Sequence, residues 1–397
     1  MIDLDQEKLD VSVKNRSNTF DWRGQFTPEL IEYLIEKFGT GDCIIADPFS
    51  GSGTVLLEAI RKGYQCAGFE INPSAYYMSK FYEYSVLTRS EREELINRIK
   101  DVLYNGIRNM SPMHFVFEKE KGDYRSCYKN LLEFAIYCHR NASLELYPFV
   151  LNVLFLCEKD KKLTVRDSVL KNTDLLCGKL LELPQSSNKV TAHWEDSRNI
   201  SQYYKEKIDL IITSPPYVNV FNYHQNYRGI VECFGYNLLQ VANSEIGSNR
   251  KNRQNRFRTV LQYAIDMGHV LESCSDSLCN GGKMIWIVGR SSNVRKVTFY
   301  NSAIIQDLIN IIDGLTLECV YSRKFGNRYG EEIVEDILIV SKKKKRNQTS
   351  NVDRFREVGI SHLKRAKKMI KDDSVLDLES LLKESENVLE SPILNHI

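Results

Sequence analysis

The sequence predicts an α/β fold on a mostly parallel sheet of seven strands, and three observations carry that prediction. Cys43 to Asp47, a Gly-rich turn, a short helix and Gln65 to Glu70 form one βαβ unit, which demands a parallel pair with a right-handed crossover. Five further short apolar runs follow, at Lys189 to Trp194, Ile208 to Ile212, Met284 to Val288, Thr316 to Tyr321 and Ile337 to Val340. The last two runs are joined by only a loop rich in Arg, Gly and Tyr, so they are expected to pair antiparallel at one edge.

Each element has a local cause. Thr27 followed by Pro28 reads as an N-cap and first helical residue, and Leu30, Ile31, Leu34, Ile35 and Phe38 keep one face apolar until Gly39. After the first strand, Pro48-Phe49-Ser50-Gly51-Ser52-Gly53 forms the turn, and Thr54 to Arg61 continues as a helix closed near Gly63. Between Ser79 and Gln185 helical periodicity dominates, clearest at Glu91 to Leu103 and Leu131 to Cys157, and reads as a helical insertion. A second insertion is expected over Val218 to Gly282. The run Lys342 to Arg346 reads as a solubilising end to an edge strand, and the tail from Asn351 as one or two amphipathic helices. The expected division is 1–80 and 188–345 for the two halves of the core, 81–187 for the helical insertion and 346–397 for the tail.

With 397 residues, 42% hydrophobic and 27% charged, the chain can bury a large core and is not disordered. A net charge of +2 leaves any nucleic-acid affinity to local clusters of cations. The polar segment Met1 to Asp21 has no secretory apolar region, and the longest apolar run, Leu146 to Cys157, is too short to span a bilayer; a cytoplasmic protein is expected. Ten scattered cysteines without a CxxC pair or zinc-ligand spacing predict reduced thiols, with no disulfide framework and no metal.

The glycine-rich turn suits a nucleotide-like ligand, and Asp47 narrows the choice. A carboxylate where strand meets loop repels a pyrophosphate but pairs with an ammonium group. S-adenosylmethionine carries such a group, and its carboxylate would rest on the amides of Gly51 to Thr54 at the helix start. The loop has neither the Gly-Lys-Ser/Thr ending of a P-loop nor the GxGxxG spacing of a dehydrogenase. Glu70, 23 positions beyond Asp47, stands where an acid reaches ribose hydroxyls; Asn72 would border the adenine, and Asp196 would accept from its amino group. Asp196 reads equally as a helix N-cap.

Thr213-Ser214-Pro215-Pro216-Tyr217 follows the apolar run Ile208 to Ile212. The exocyclic amine of a nucleobase is a poor nucleophile because its lone pair is delocalised into the ring. If the Ser214 side chain and the Pro215 carbonyl both accept from that NH2, the nitrogen is drawn toward sp3 geometry and its lone pair is freed. Tyr217 would hold the base by stacking. A proline turn closing a core strand is the bland alternative. No Pro-Cys element ends a strand, so covalent catalysis by cysteine on ring carbon is disfavoured, and His139 and His193 read as structural.

Ser214-Pro215-Pro216-Tyr217 resembles the catalytic motif of the DNA amino-methyltransferases, whose consensus is Asp/Asn/Ser-Pro-Pro-Tyr. Asp47 to Thr54 resembles that family's cofactor motif, including Pro48, Phe49, Gly51, Gly53 and Thr54, and Phe20 to Glu29 resembles the segment that covers the methionine end. The resemblance spans roughly 20–80 and 190–342. It implies a Rossmann-like, S-adenosylmethionine-dependent methyltransferase sheet, with cofactor contacts from Trp22, Phe26 and Thr27. A Ser at the first motif position goes more often with cytosine N4 and an Asp with adenine N6, so methylation of cytosine N4 by base flipping in duplex DNA is the expectation, and adenine N6 the alternative. A separately encoded cognate restriction endonuclease is the partner implied. The insertion before Asp196 departs from the family, which places its recognition region between later motifs or after them; 81–187 nevertheless stands as one possible target reader.

Two segments suit nucleic acid. Asn222 to Arg228 mixes aromatics, amides and a cation, with Tyr223, His224 and Arg228 able to line the base pocket or meet flanking phosphates, or else to pack under the sheet. Arg250, Lys251, Arg253, Arg256 and Arg258 place five cations in nine residues, which reads as a phosphate-contacting strip or as a solvated helix face. An RNA base methyltransferase and a non-catalytic nucleic-acid-binding protein are the rival classes. The first usually carries an RNA-binding domain ahead of the cofactor loop, where 46 residues precede Asp47 here; the second does not account for an intact Asp47, Gly51, Gly53, Ser214 and Tyr217.

Overall fold

The computed structural model describes residues 3–110, 124–160, 163–219, 223–248, 251–252, 254–326, 330–343, 352–370 and 373–394. Its centre is a seven-stranded sheet in the order β3-β2-β1-β4-β5-β9-β8, with β1 (Ile44–Asp47), β2 (Gln65–Phe69), β3 (Val190–His193), β4 (Ile208–Thr213), β5 (Leu278–Gly289), β8 (Leu315–Gly326) and β9 (Glu332–Lys342). The first five in spatial order are parallel, and β9 runs antiparallel to both β5 and β8. The expected strands are all present, but β9 is interior and β8 forms the edge. From β1 the chain builds β2 and β3 on one side and later β4 and β5 on the other. The carboxyl ends of β1 and β4 therefore diverge at a topological switch point, where open α/β sheets form clefts. A small hairpin, β6 (Ser292–Val294) with β7 (Val297–Phe299), has no counterpart in the sequence reading.

On one side lie α2 (Pro28–Phe38), α3 (Thr54–Arg61) and α4 (Pro73–Lys80). The helical insertion packs against α4 as α5 (Arg89–Asn109), α6 (Tyr124–Asn141), α7 (Tyr147–Lys159) and α8 (Val165–Glu182). The periodic run Leu131 to Cys157 is two helices, broken by a 3-10 turn at Leu144–Leu146 and restarted by Pro148 in the first turn of α7. Buried Asn152 in α7 donates to the Tyr77 carbonyl of α4 at 2.9 Å, fixing the insertion to the core.

The stretch expected as a second insertion is shorter than predicted. After α9 (Ile200–Tyr204), α10 (Arg228–Cys233) and α11 (Leu238–Ser244) comes α12 (Phe257–Ser277), which is the crossover helix between β4 and β5 and is buried along most of its length. It is sandwiched between the sheet and the tail, so it buries residues on more than one face. With α13 (Asn301–Ile311) it receives α14 (Val352–Lys367), while α15 (Ser374–Lys383) packs on both α12 and α14. A Cβ at Gly268 of α12 would stand 2.3 Å from the Phe355 ring, so the tail is part of the core.

Two features of the edge differ from expectation. Lys342 is 2% exposed and donates to the carbonyls of Ser275 and Leu278 at 2.8 and 2.7 Å, because β9 is interior and those carbonyls end α12; it is not a solubilising edge residue. Residues 344–346 of that run lie outside the described residues. The edge strand β8 is instead covered by α1 (Gln6–Asp10), where Gln6 Nε2 donates to the Ser322 carbonyl at 2.8 Å and the Lys324 amide donates to Asp10 at 2.7 Å. Among the described residues no helix is long and apolar enough to cross a membrane, and no group of three or more His, Cys, Asp or Glu residues is placed to hold a metal.

Candidate active site

The cleft at the switch point encloses about 1270 Å³, its open mouth included. One wall is the loop after β1. Its φ angles of 51° at Gly51 and 83° at Gly53 turn the chain into α3, and at Gly53 a Cβ would also lie 2.7 Å from Tyr82. Pro48, Phe49, Gly51 and Thr54 line the cleft, while Gly53 stands behind it as the cap of α3. The segment before α2 folds over this loop, with Ser52 Oγ donating to Gln25 Oε1 at 2.8 Å and Thr54 Oγ1 to Asn18 Oδ1 at 2.9 Å. Trp22 and Phe26 thereby reach the cleft. Thr27 occupies the expected N-cap position of α2 but is not among the lining residues.

Two acids share this space. Asp47, 1% exposed, accepts from Thr213 Oγ1 at 2.6 Å and from the Phe49 amide at 3.0 Å, which ties the end of β1 to the end of β4. Glu70 accepts from the Gly51 amide at 3.0 Å and the Asn72 amide at 2.8 Å. Burial pushes each carboxyl up to about 7 against those hydrogen bonds, and Asp47 and Glu245 add like charge at Glu70. A positive ligand would relieve both. Asn72 caps α4 with its oxygen and leaves Nδ2 buried without an acceptor, a donor suited to a polar ligand edge. Asp196 also lines the cleft, and it is a helix N-cap as the alternative reading had it: its Oδ1 accepts from the Arg198 amide at 3.0 Å, while the Arg198 guanidinium donates to both of its oxygens, at 2.9 and 2.6 Å.

The opposite wall is the turn after β4. Ser214, Pro215, Pro216 and Tyr217 all line the cleft. The Tyr217 hydroxyl donates to Glu335 Oε1 at 2.8 Å, and Glu335 is paired with Arg323 at 2.8 Å. The ring lies so close to the end of β5 that a Cβ at Gly289 would come within 2.5 Å of it. Asn301 holds the exit of the turn, accepting from the Val218 amide at 3.1 Å and donating to the Gly289 carbonyl at 3.1 Å.

On the nucleic-acid side the expected residues divide. Tyr223 lines the cleft and stacks on Trp22 with centroids 6.0 Å apart. His224 is 3% exposed, and its backbone amide and Nδ1 each lie 2.7 Å from a Glu245 oxygen; a neighbouring acid turns it inward, away from any phosphate. Arg228 is exposed and paired with Glu232 one helical turn on. Lys251 is mostly buried and donates to Ser391 Oγ at 2.8 Å, because the tail supplies an acceptor there; it is not a surface phosphate contact. Arg256 is exposed and Arg258 half-buried, and Arg250 and Arg253 lie outside the described residues. Glu245 of the cleft and the Glu335–Arg323 pair were missed in the sequence, since an isolated charge on a strand or loop carries no spacing signal.

Residues 5–81, which hold the cofactor loop and both acids, match the DNA methylase family profile. The cofactor is S-adenosylmethionine. Its ammonium suits the raised carboxyls, and its adenine edge suits the orphan amide of Asn72. A stretch of 53 residues is 43% identical to the Type II methyltransferase M.MjaII of Methanocaldococcus jannaschii; it covers 13% of this chain and 10% of that protein. Among solved structures, a SAM-dependent methyltransferase of Methanosarcina mazei covers 79% of this chain and 98% of its own, at 10% identity and TM-score 0.37. TrmN of Thermus thermophilus covers 81% and 50%, at 12% identity and TM-score 0.33. At those scores neither bears weight here.

Proposed function

We propose that the chain is a site-specific DNA methyltransferase that moves a methyl group to the exocyclic N4 of a flipped cytosine in duplex DNA. The observation that carries this reading is the shared cleft: the Ser214-Pro215-Pro216-Tyr217 turn faces the cofactor loop, and Thr213, the residue before it, is bonded to Asp47. When bound, the cofactor supplies an electrophilic methyl carbon on a sulfonium centre. The protein's part is to hold and polarise the base. Ser214 Oγ and the Pro215 carbonyl accept from the two amine hydrogens, which costs little in the planar ground state and stabilises more as the nitrogen pyramidalises. The Tyr217 ring, held by Glu335 and the end of β5, offers a fixed stacking surface, and the Trp22–Tyr223 pair narrows the mouth. The excess proton of the methylated amine is strongly acidic and leaves to water or to Ser214.

The preference for cytosine N4 rests on serine at the first motif position, and protection of DNA beside a separately encoded restriction endonuclease on the segment shared with the Type II enzyme. The test is to incubate the protein with methyl-labelled S-adenosylmethionine and duplex DNA or tRNA, digest to nucleosides and identify the labelled product. N4-methylcytosine from DNA is expected. N6-methyladenine would move the assignment to the other amine, and label in RNA alone would overturn it.

A further inference from the structure

The Arg198 guanidinium spends all five of its N–H donors inside the protein. Nε and one Nη2 hydrogen go to Asp196, at 2.9 and 2.6 Å. The rest go to the tail and to α12: Nη2 to the Pro392 carbonyl at 3.1 Å, and Nη1 to the Ser391 carbonyl at 2.6 Å and Asp266 Oδ1 at 3.4 Å. Ser391 closes the ring by donating its amide and hydroxyl to Asp266 at 2.7 and 2.5 Å, and its hydroxyl accepts from Lys251 at 2.8 Å. Two cations and two carboxylates thus balance one another below the surface, with Asp196, Asp266 and Ser391 each at most 1% exposed.

We propose that the carboxyl-terminal segment 388–394 is part of the cofactor-binding machinery, with Ser391 and Asp266 as positioning residues that aim Arg198, and through it Asp196, at the adenine amino group. Asp196 is the member of this network that lines the cleft, together with its neighbour Ser197. Its Oδ1 accepts from the Arg198 amide and Nε, while Oδ2 takes a single bond and keeps a lone pair for a ligand. A bidentate fork fixes the plane of a carboxylate, so the direction of that lone pair follows the guanidinium. The guanidinium in turn is held from its far side by carbonyls 193 and 194 residues away in the chain. Removing them would leave buried donors without acceptors and release the fork.

The inference rests on the reading that this cleft takes S-adenosylmethionine, and binding measurements separate the two. Titration calorimetry would compare S-adenosylhomocysteine with its hypoxanthine counterpart, which lacks the amino group, on wild-type protein and on the Arg198→Lys and Ser391→Ala variants, with thermal melts alongside. The variants are expected to bind S-adenosylhomocysteine about tenfold more weakly for Arg198→Lys and a few-fold for Ser391→Ala, while affinity for the hypoxanthine compound changes about twofold or less. A Phe134→Leu variant, in the buried core of the helical insertion away from this network, should lower the melting temperature and leave both affinities unchanged. Folded variants that bind both compounds like wild type, or lose both equally, would overturn the positioning role. Wild-type protein that binds neither would overturn the cofactor reading and this inference with it.

Discussion

On the proposed reading Ser214 and the Pro215 carbonyl divide one task, so removing the side chain should weaken catalysis without abolishing it. Ser214→Ala is expected to lower kcat by about 10- to 100-fold while cofactor affinity stays at the wild-type value, because the lost acceptor acts on the pyramidal amine. Equal losses in kcat and cofactor affinity would place the hydroxyl in the cofactor site instead. The two raised acids give a pH signature. In the unfolded chain Asp47 and Glu70 titrate near 4, and in the folded, ligand-free protein near 7, so between those values the folded state binds more protons and these groups make stability fall as pH rises. A cationic ligand favours the carboxylates, so cofactor binding at pH 6 should release protons and should tighten toward pH 8. Calorimetry in two buffers of different ionisation heat checks this, and proton uptake on binding would contradict it.

At the scale of elements, the cofactor half was legible because it is local. Asp47, the Gly51 and Gly53 turn and Glu70 all fall within residues 47–70 of a single βαβ unit, so strand ends and the helix start follow from local chemistry. The approach of β5 to the turn after β4 was not legible, since it joins residues far apart. Gly289→Ala would drive a methyl group into the Tyr217 ring, and it is expected to cut turnover by tenfold or more while cofactor affinity holds. Wild-type turnover in that variant would show that the ring has room to move. At the start of α12, Arg256 is exposed and Arg258 half-buried, and on the proposed reading both meet phosphate. Changing either to Ala should lower DNA affinity without changing sequence preference and reduce the slope of log affinity against log salt by about 1. An unchanged slope would make that strip a solvated face only.

For the whole molecule, the cleft gathers walls from the amino-terminal segment, both halves of the sheet and the stretch 223–246, and the tail stands behind Asp196. A ligand seated there adds further contacts between these parts. Saturating S-adenosylmethionine, at a hundredfold excess over its Kd, should stabilise the fold by about 2.7 kcal/mol. A melting temperature that does not rise under those conditions would mean that the ligand binds folded and unfolded chains alike or not at all. The tail was expected as an appended pair of helices; its burial on α12 makes it a structural and, on the inference above, a ligand-positioning part of the core.

By itself the sequence determined the periodic strands, the turn with Asp47 at its head and the proline pair after β4, because each depends on spacing within one segment. Only the tertiary structure decided which polar residues are buried. Lys342, Lys251 and His224 look solvent-exposed in a linear reading, yet each meets an acceptor contributed by a distant stretch, respectively the end of α12, Ser391 and Glu245. Burying a charged or polar group costs free energy that only a partner offsets, and which partner is within reach is a property of the folded chain.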